Sequence, residues 1–94
     1  MFVVLLKYLK PLSEIEKHVG EHRAFLDEGY AKNLLLASGP QNPRTGGVLL
    51  ARGESRAELE EFLARDPFTL KKLAEYSIIE FTPVKFSPAF EKCL

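Results

Sequence analysis

The sequence predicts an α+β domain in which helices pack on an antiparallel sheet. Segments with strand-like and helix-like patterning alternate along the chain, and the first and last of them are strands. The two helical segments are separated by two short apolar segments that a turn-rich loop joins, as expected for a hairpin. Strands mixed with helices in this way are typical of a helix layer on one sheet.

The first strand is predicted over residues 2–9, which are apolar except for Lys7, and Pro11 marks its end. Ser13 is a candidate helix N-cap, because Glu16 three positions later completes a capping-box pattern. The first helix follows, with an apolar stripe at helical spacing. Its members are Ile15, Val19, His22, Phe25 and Leu26.

Two glycines bear on this helix. Gly20 is expected to weaken it and to kink it in the middle, and Gly29 is a plausible stop. The second strand is predicted over residues 33–38 and ends at Gly39-Pro40. The polar loop 41–46 is full of turn formers, and residues 47–52 resume a strand pattern.

The second helix starts with another capping box, formed by Ser55 and Glu58, and Pro67 ends it. A short helical turn is expected to follow, through Leu73. The last strand is predicted over residues 76–84, which are rich in Ile, Phe and Thr. The apolar stripe of the second helix consists of Leu59, Phe62 and Leu63. The resulting order is β-α-β-β-α-β, that of the ferredoxin-like unit.

Composition limits the classes of function. The chain of 94 residues is expected to be a single domain, with a core in residues 1–84 and a tail in residues 85–94. Thirteen basic and thirteen acidic residues balance, so charge gives no reason to expect nucleic acid or an anionic membrane as a partner. The N-terminal apolar run is too short for a signal core or a membrane span, which predicts a cytoplasmic protein. Cys93 is the only cysteine and offers no internal disulfide.

The strands predict a dimer. An antiparallel sheet with helices on one face should alternate apolar and polar residues if water meets the other face. These strands are apolar on both faces. In the first strand, Val4 and Leu6 point to one face, and Val3 and Leu5 point to the other. Because two helices cover one face, the second face is expected to pack against another copy of the chain. In the alternative, the tail with its two phenylalanines folds back over that face.

His22 is the residue most suggestive of chemistry. It shares the apolar stripe of the first helix, and a buried imidazole needs a hydrogen-bond partner. Asp66 ends the second helix, which lies on the same face of the sheet in this topology. A carboxylate that accepts one imidazole N–H would fix the tautomer and make the other nitrogen a competent base near pH 7. The alternatives are a satisfied core histidine at position 22 and a helix N-cap at position 66.

The sequence offers two weaker candidates. His18 stands one helical turn before His22, at a spacing that can hold a metal, but no third ligand is evident and no metal site is expected. The segment from Ala37 to Gly47 has glycines that would let a ligand approach the backbone, and Arg44 could pair with a carboxylate or phosphate. For Arg44 a simple hairpin loop is the better interpretation.

Five blocks in order resemble the YciI-like (YCII-related) domain family and cover almost the whole chain. The blocks are His22-Arg23-Ala24-Phe25-Leu26, Leu36-Ala37-Ser38-Gly39-Pro40, Gly46-Gly47-Val48-Leu49-Leu50, Asp66-Pro67-Phe68 and Ile79-Glu80-Phe81-Thr82-Pro83-Val84. The resemblance implies a dimeric α+β barrel formed through the sheets. It also implies a His-Asp active site, matched here by His22 and Asp66, with Ser38, Gly39 and Pro40 bordering the pocket.

The leading hypothesis is therefore a small enzyme without a cofactor, a lyase or isomerase, and the resemblance includes dehydrochlorinases among the related activities. In it, His22 would move a proton on a small enolisable or cyclic substrate, Asp66 would orient the imidazole, and Ser38 would help to hold a developing oxyanion. The alternatives are a non-catalytic module that binds a small metabolite, or regulates, with the same fold, and a purely structural role for His22.

Overall fold

A computed structural model describes all 94 residues, which form a four-stranded antiparallel sheet with helices on one face. The strand order is β2-β3-β1-β4, so β1 is central and both β2 and β4 are edges. The elements, in chain order, are β1 (Phe2–Tyr8), α1 (Leu12–Glu16), α2 (Val19–Ala31), β2 (Leu35–Pro40), β3 (Gly46–Ala51), α3 (Arg56–Ala64), α4 (Pro67–Leu70) and β4 (Ala74–Glu80). This confirms the α+β class and the β-α-β-β-α-β order, with the first helical segment divided in two.

The start of α1 differs from the prediction. The helix begins directly after Pro11, whose carbonyl accepts hydrogen bonds from the backbone N–H groups of Glu14 and Ile15. Ser13 therefore lies inside the first turn and is not the N-cap. The chain leaves helical geometry at His18, with φ −118° and ψ 3°, so the interruption precedes Gly20 by two residues.

The end of α2 also differs, because Gly29 is a packing residue and not a stop. A Cβ at this position would lie 2.7 Å from the Phe62 ring and 2.8 Å from the Leu35 side chain. The helix continues to Ala31, and Asn33 turns the chain with φ 61°. The Leu34 N–H donates back to the Gly29 carbonyl at 2.9 Å, which closes the helix end. As a result β2 starts at Leu35, two residues later than predicted.

The second helix and the last strand are simpler. Ser55 caps α3 as predicted, since its hydroxyl accepts the Glu58 N–H at 3.1 Å. The strand β4 starts at Ala74 and ends at Glu80, earlier at both ends than the predicted 76–84. Two hydrogen bonds continue the pairing beyond β4, from the Phe81 N–H to the Met1 carbonyl and from the Met1 ammonium to the Phe81 carbonyl. The tail contains a 3-10 turn at Pro88–Cys93.

The core lies between the sheet and the helices, in two clusters. Phe2 and Val4 of β1 are fully buried in the larger cluster, and the next inward residue, Leu6, belongs to the smaller one. The larger cluster also contains Leu26, Leu34, Leu35, Leu49, Ala51, Leu59, Phe62 and Leu63, and the smaller one Ile15, Phe68, Leu73 and Ala74. The smaller cluster is the one that adjoins His22 and Asp66, through Phe68.

The other face of the sheet is open in the single chain, although its residues are apolar. Leu5 is 40% exposed, Val48 37% and Ile79 51%. The tail does not fold back over this face, because these residues stay exposed and Phe86 is itself 43% exposed. Burial of the open face by a second subunit stays a prediction. None of the helices is long and apolar enough to span a bilayer, and the cytoplasmic location stays a prediction.

Candidate active site

His22 projects from α2 into the space between the helices and the sheet. Its ring lies parallel to that of Phe68, with an interplanar angle of 2° and a centroid distance of 4.0 Å. Its Nδ1 is 2.9 Å from each oxygen of the Asp66 carboxylate. Stacking on one side and a hydrogen bond at the edge fix the orientation of the imidazole. The predicted meeting of His22 and Asp66 is present in the structure.

Asp66 is fully buried and accepts hydrogen bonds from three groups. Besides His22, the Phe68 backbone N–H donates to Oδ1 at 2.9 Å, which makes Asp66 the N-cap of α4. The Tyr76 hydroxyl donates to Oδ2. Three donors on two oxygens hold the carboxylate in one orientation. Asp66 therefore has both of the roles that the sequence left as alternatives, N-cap of a helix and partner of His22.

Tyr76 is the member of this cluster that sequence reasoning missed. Burial raises the pKa of its phenol well above the ordinary value, and the negative charge of Asp66 and the hydrogen bond to it act in the same direction. The phenol therefore remains a protonated donor throughout the neutral range. The sequence carried part of the signal, because Tyr76 and Ile78 alternate on one face of the predicted strand. The register Leu6↔Tyr76, which directs that face toward the helices, is known only from the fold.

The second ring nitrogen of His22, Nε2, is available to a ligand. It has no hydrogen-bond partner, and no side-chain nitrogen or oxygen is both buried and unpartnered, so Nε2 keeps access to solvent. His22 lines a cavity of about 290 Å³ between α2 and the β2-β3 hairpin. With Nδ1 donating to Asp66, Nε2 presents its lone pair, and this arrangement suits a general base.

Ser38, Gly39 and Pro40 line the same cavity from β2. The Ser38 hydroxyl is 2.5 Å from the Tyr30 hydroxyl, and either oxygen can be the donor. When Tyr30 donates, the hydrogen of Ser38 is free to point to a ligand. Arg44 also lines the cavity, which its sequence context did not favour.

His18 lies apart from this cavity and has different partners. Its Nδ1 is 2.5 Å from a Glu21 carboxylate oxygen, which also accepts a hydrogen bond from Lys71. The hydrogen bond from Lys71, followed by that from His18, lowers the pKa of the Glu21 carboxyl. The two histidines of the chain thus belong to separate clusters, and their side chains do not converge on one point.

Comparison with known proteins identifies the family and supports the fold of the chain. The family model of the YCII-related domain matches residues 1–82. Among solved structures, the chain is similar to 5-chloro-2-hydroxyhydroquinone dehydrochlorinase (TftG) from Burkholderia phenoliruptrix AC1100, in complex with 2,5-dihydroxybenzoquinone. The TM-score is 0.70 at 22% identity, and the similarity covers 87% of this chain and 94% of that one. No curated protein matches the sequence.

Proposed function

This chain belongs to the YCII-related domain family, and we propose that it is a small cofactor-independent lyase or isomerase with His22 as its general base. The proposal rests on one observation, which is that the two nitrogens of the His22 ring have different environments. Nδ1 is held by a buried carboxylate, while Nε2 has no partner within the chain and His22 lines a cavity that can admit a small molecule. The dehydrochlorinase activity of the structural neighbour, a lyase reaction, supports the same class.

In the proposed reaction, Nε2 accepts a proton from carbon or oxygen of a small enolisable or cyclic substrate. In a lyase, the electron pair left by the proton forms a new double bond, and the leaving group departs with its own electron pair. In an isomerase, the proton returns to another atom of the substrate. In both cases the imidazolium forms beside Asp66, whose charge stabilises it, and water or substrate then removes the proton.

The other groups of the site have supporting roles in the proposal. The Ser38 hydroxyl and backbone N–H groups near Gly39 would stabilise an oxygen that becomes negative in the transition state. Tyr76 and the Phe68 N–H hold the Asp66 carboxylate in place, so the imidazole needs little reorientation during the reaction.

We also propose that the active form is a homodimer, in which the open sheet faces of two copies meet. The register places Leu5 between Val48 and Ser77, and Val3 between Leu50 and Ile79. These rows form a continuous and mostly apolar surface, of a kind that monomeric proteins rarely expose. A symmetric dimer would bury it on both copies at once.

The proposal is tested by measuring turnover of lactones, enolisable keto acids and halogenated phenols. His22→Gln and Asp66→Asn are expected to lower turnover of any active compound by a factor of about 10²–10⁴, the contribution of general acid-base catalysis. His18→Gln is the matched control, since it changes the other histidine and leaves the cavity intact; it should retain wild-type turnover. Unchanged rates in both site variants would refute the proposed base. Ligand binding without any turnover would favour the non-catalytic module instead.

A further inference from the structure

The cavity beside His22 carries positive charge without any acidic residue in its wall. Arg23 and Arg44 both line it, and none of the lining residues is an aspartate or a glutamate. Two carboxylates lie near the cavity without lining it. That of Glu16 is 3.4 Å from the Arg44 guanidinium. That of Asp66 lies behind His22, is fully buried and is hydrogen bonded to three donors. A ligand in the cavity therefore meets cations directly and this negative charge only through the imidazole.

Arg23 is the stronger of the two cations, because no side chain neutralises it. It forms no ion pair and no side-chain hydrogen bond, and Asp27, one helical turn further along α2, does not pair with it. Most other arginines of the chain have partners. Arg52 binds Asn33, Arg56 binds Glu60, and Arg65 binds Glu28. An unpaired guanidinium at the wall of a cavity is placed to bind an anion in two-pronged geometry.

Arg44 approaches the same cavity from the loop between β2 and β3. Its single charged contact is a 3.4 Å separation from Glu16, and both side chains are at least one third exposed. A contact of this kind contributes little, so a ligand anion can compete for Arg44. Tyr8 also lines the cavity and has no side-chain hydrogen bond, which leaves its hydroxyl free to donate.

From this charge distribution we infer that the site selects a small organic anion, with Arg23 and Arg44 as the residues that determine the specificity. The inference rests on the proposed function for the statement that this ligand is a substrate. The anionic group is a carboxylate or an ionised phenol or enol. The cavity of about 290 Å³ lies at the lower end of the range for small-molecule sites, which favours a ligand with a single small ring or a short chain.

The test is an NMR titration of the ¹⁵N-labelled protein with sodium benzoate and with benzamide, its neutral counterpart, at constant ionic strength. The backbone amides of Gly39 and Gly47 report on the cavity. Benzoate is expected to bind at least tenfold more tightly than benzamide, and Arg23→Gln to weaken benzoate about tenfold, the effect of one lost charge-assisted hydrogen bond. A parallel titration with 2-nitrophenol, ionised and neutral at two pH values, distinguishes the phenolate from the carboxylate.

Two further variants sharpen the result. Glu16→Gln removes the carboxylate that competes with benzoate for Arg44, so it should tighten benzoate binding severalfold. Arg44→Gln should have the opposite effect and weaken it. Arg56→Gln makes the same change of charge on α3, away from the cavity, and should leave the dissociation constant unchanged. The inference is overturned if benzoate causes no shifts at Gly39 and Gly47, if benzamide binds equally well, or if Arg56→Gln weakens binding as much as Arg23→Gln does.

These outcomes are separate from those of the turnover experiment. If a neutral compound is turned over in a His22-dependent reaction and benzoate does not bind, the proposed base stands and the anion selectivity is wrong. If benzoate binds through Arg23 and no compound is turned over, the selectivity stands as a property of a binding site.

Discussion

The two faces of the sheet are similar in composition and opposite in environment. Leu6 points to the helices and is 4% exposed, while its neighbour Leu5 points to the open face and is 40% exposed. The covered face also holds a polar cluster around Asp66, in which every buried polar atom has a partner. One face is thus completed within the chain, and the other has the residues of a core without anything packed on it. The hydrophobicity of the strand residues alone does not show which face of the sheet is covered by the helices of the same chain.

The largest loss of folding stability is expected from a substitution in the polar cluster of the covered face. Asp66→Ala leaves His22 Nδ1, the Phe68 N–H and the Tyr76 hydroxyl without their acceptor, in a place where water has little access. Removing one partner from such a buried cluster costs about 3–5 kcal/mol of the free energy of unfolding. Urea denaturation followed by circular dichroism measures it. Asp27→Ala, at an exposed position of α2, should stay within about 0.5 kcal/mol of wild type. A similar small loss for Asp66→Ala would show that the cluster contributes little to stability.

The next prediction compares Leu6 on the covered face with Leu5 on the open face. Leu6→Ala removes a fully packed side chain and should cost about 2–5 kcal/mol of unfolding free energy. Leu5→Lys places a charge on the open face, which should leave the chain folded and abolish the proposed dimer. Light scattering coupled to gel filtration is expected to give wild type twice the 10.6 kDa of one chain, and Leu5→Lys the mass of one. A wild-type mass of one chain at tens of micromolar would refute the dimer, as would an unchanged dimer in Leu5→Lys.

The order of elements and the main pair of the site could be predicted from the sequence because they depend on local signals. The Ser55 cap and the Asp66-Pro67 step mark helix boundaries in a few residues, and periodicity separates helices from strands. Topology then places His22 and Asp66 on the same face of the sheet. This step requires only the order of the elements and no atomic detail.

The errors came from features that depend on packing between distant segments. Gly29 has the residue type of a helix stop, but the requirement for glycine comes from Phe62 and Leu35, which pack where a Cβ would be. Tyr76 reaches Asp66 through the register of β4 on β1, which single-chain patterning does not give. Arg23 shares a block of sequence with His22, and only its lack of a partner and its place at the cavity distinguish it from a surface arginine.

The smallest loss of stability is expected on removal of the Tyr76 hydroxyl, which joins β4 to the polar cluster around Asp66. Tyr76→Phe should cost about 1–2 kcal/mol at neutral pH, since one Asp66 oxygen loses a donor. The pH dependence is more specific. The raised pKa means that the folded chain keeps this proton above pH 10.0, where the unfolded chain, at the ordinary tyrosine value, loses it. Stability from this group is complete below pH 10.0 and falls above it, by at most about 1.4 kcal/mol per pH unit.

Tyr76→Phe should therefore flatten the fall in unfolding free energy between about pH 10 and pH 11.5. Tyr30→Phe, which changes an exposed tyrosine near the cavity rim, should keep the wild-type slope. Denaturation curves at a series of pH values measure both variants. If wild type and Tyr76→Phe lose stability at the same rate, burial and Asp66 do not hold the phenol protonated in the folded chain, and the carboxylate behind His22 would lack one of its three proposed supports.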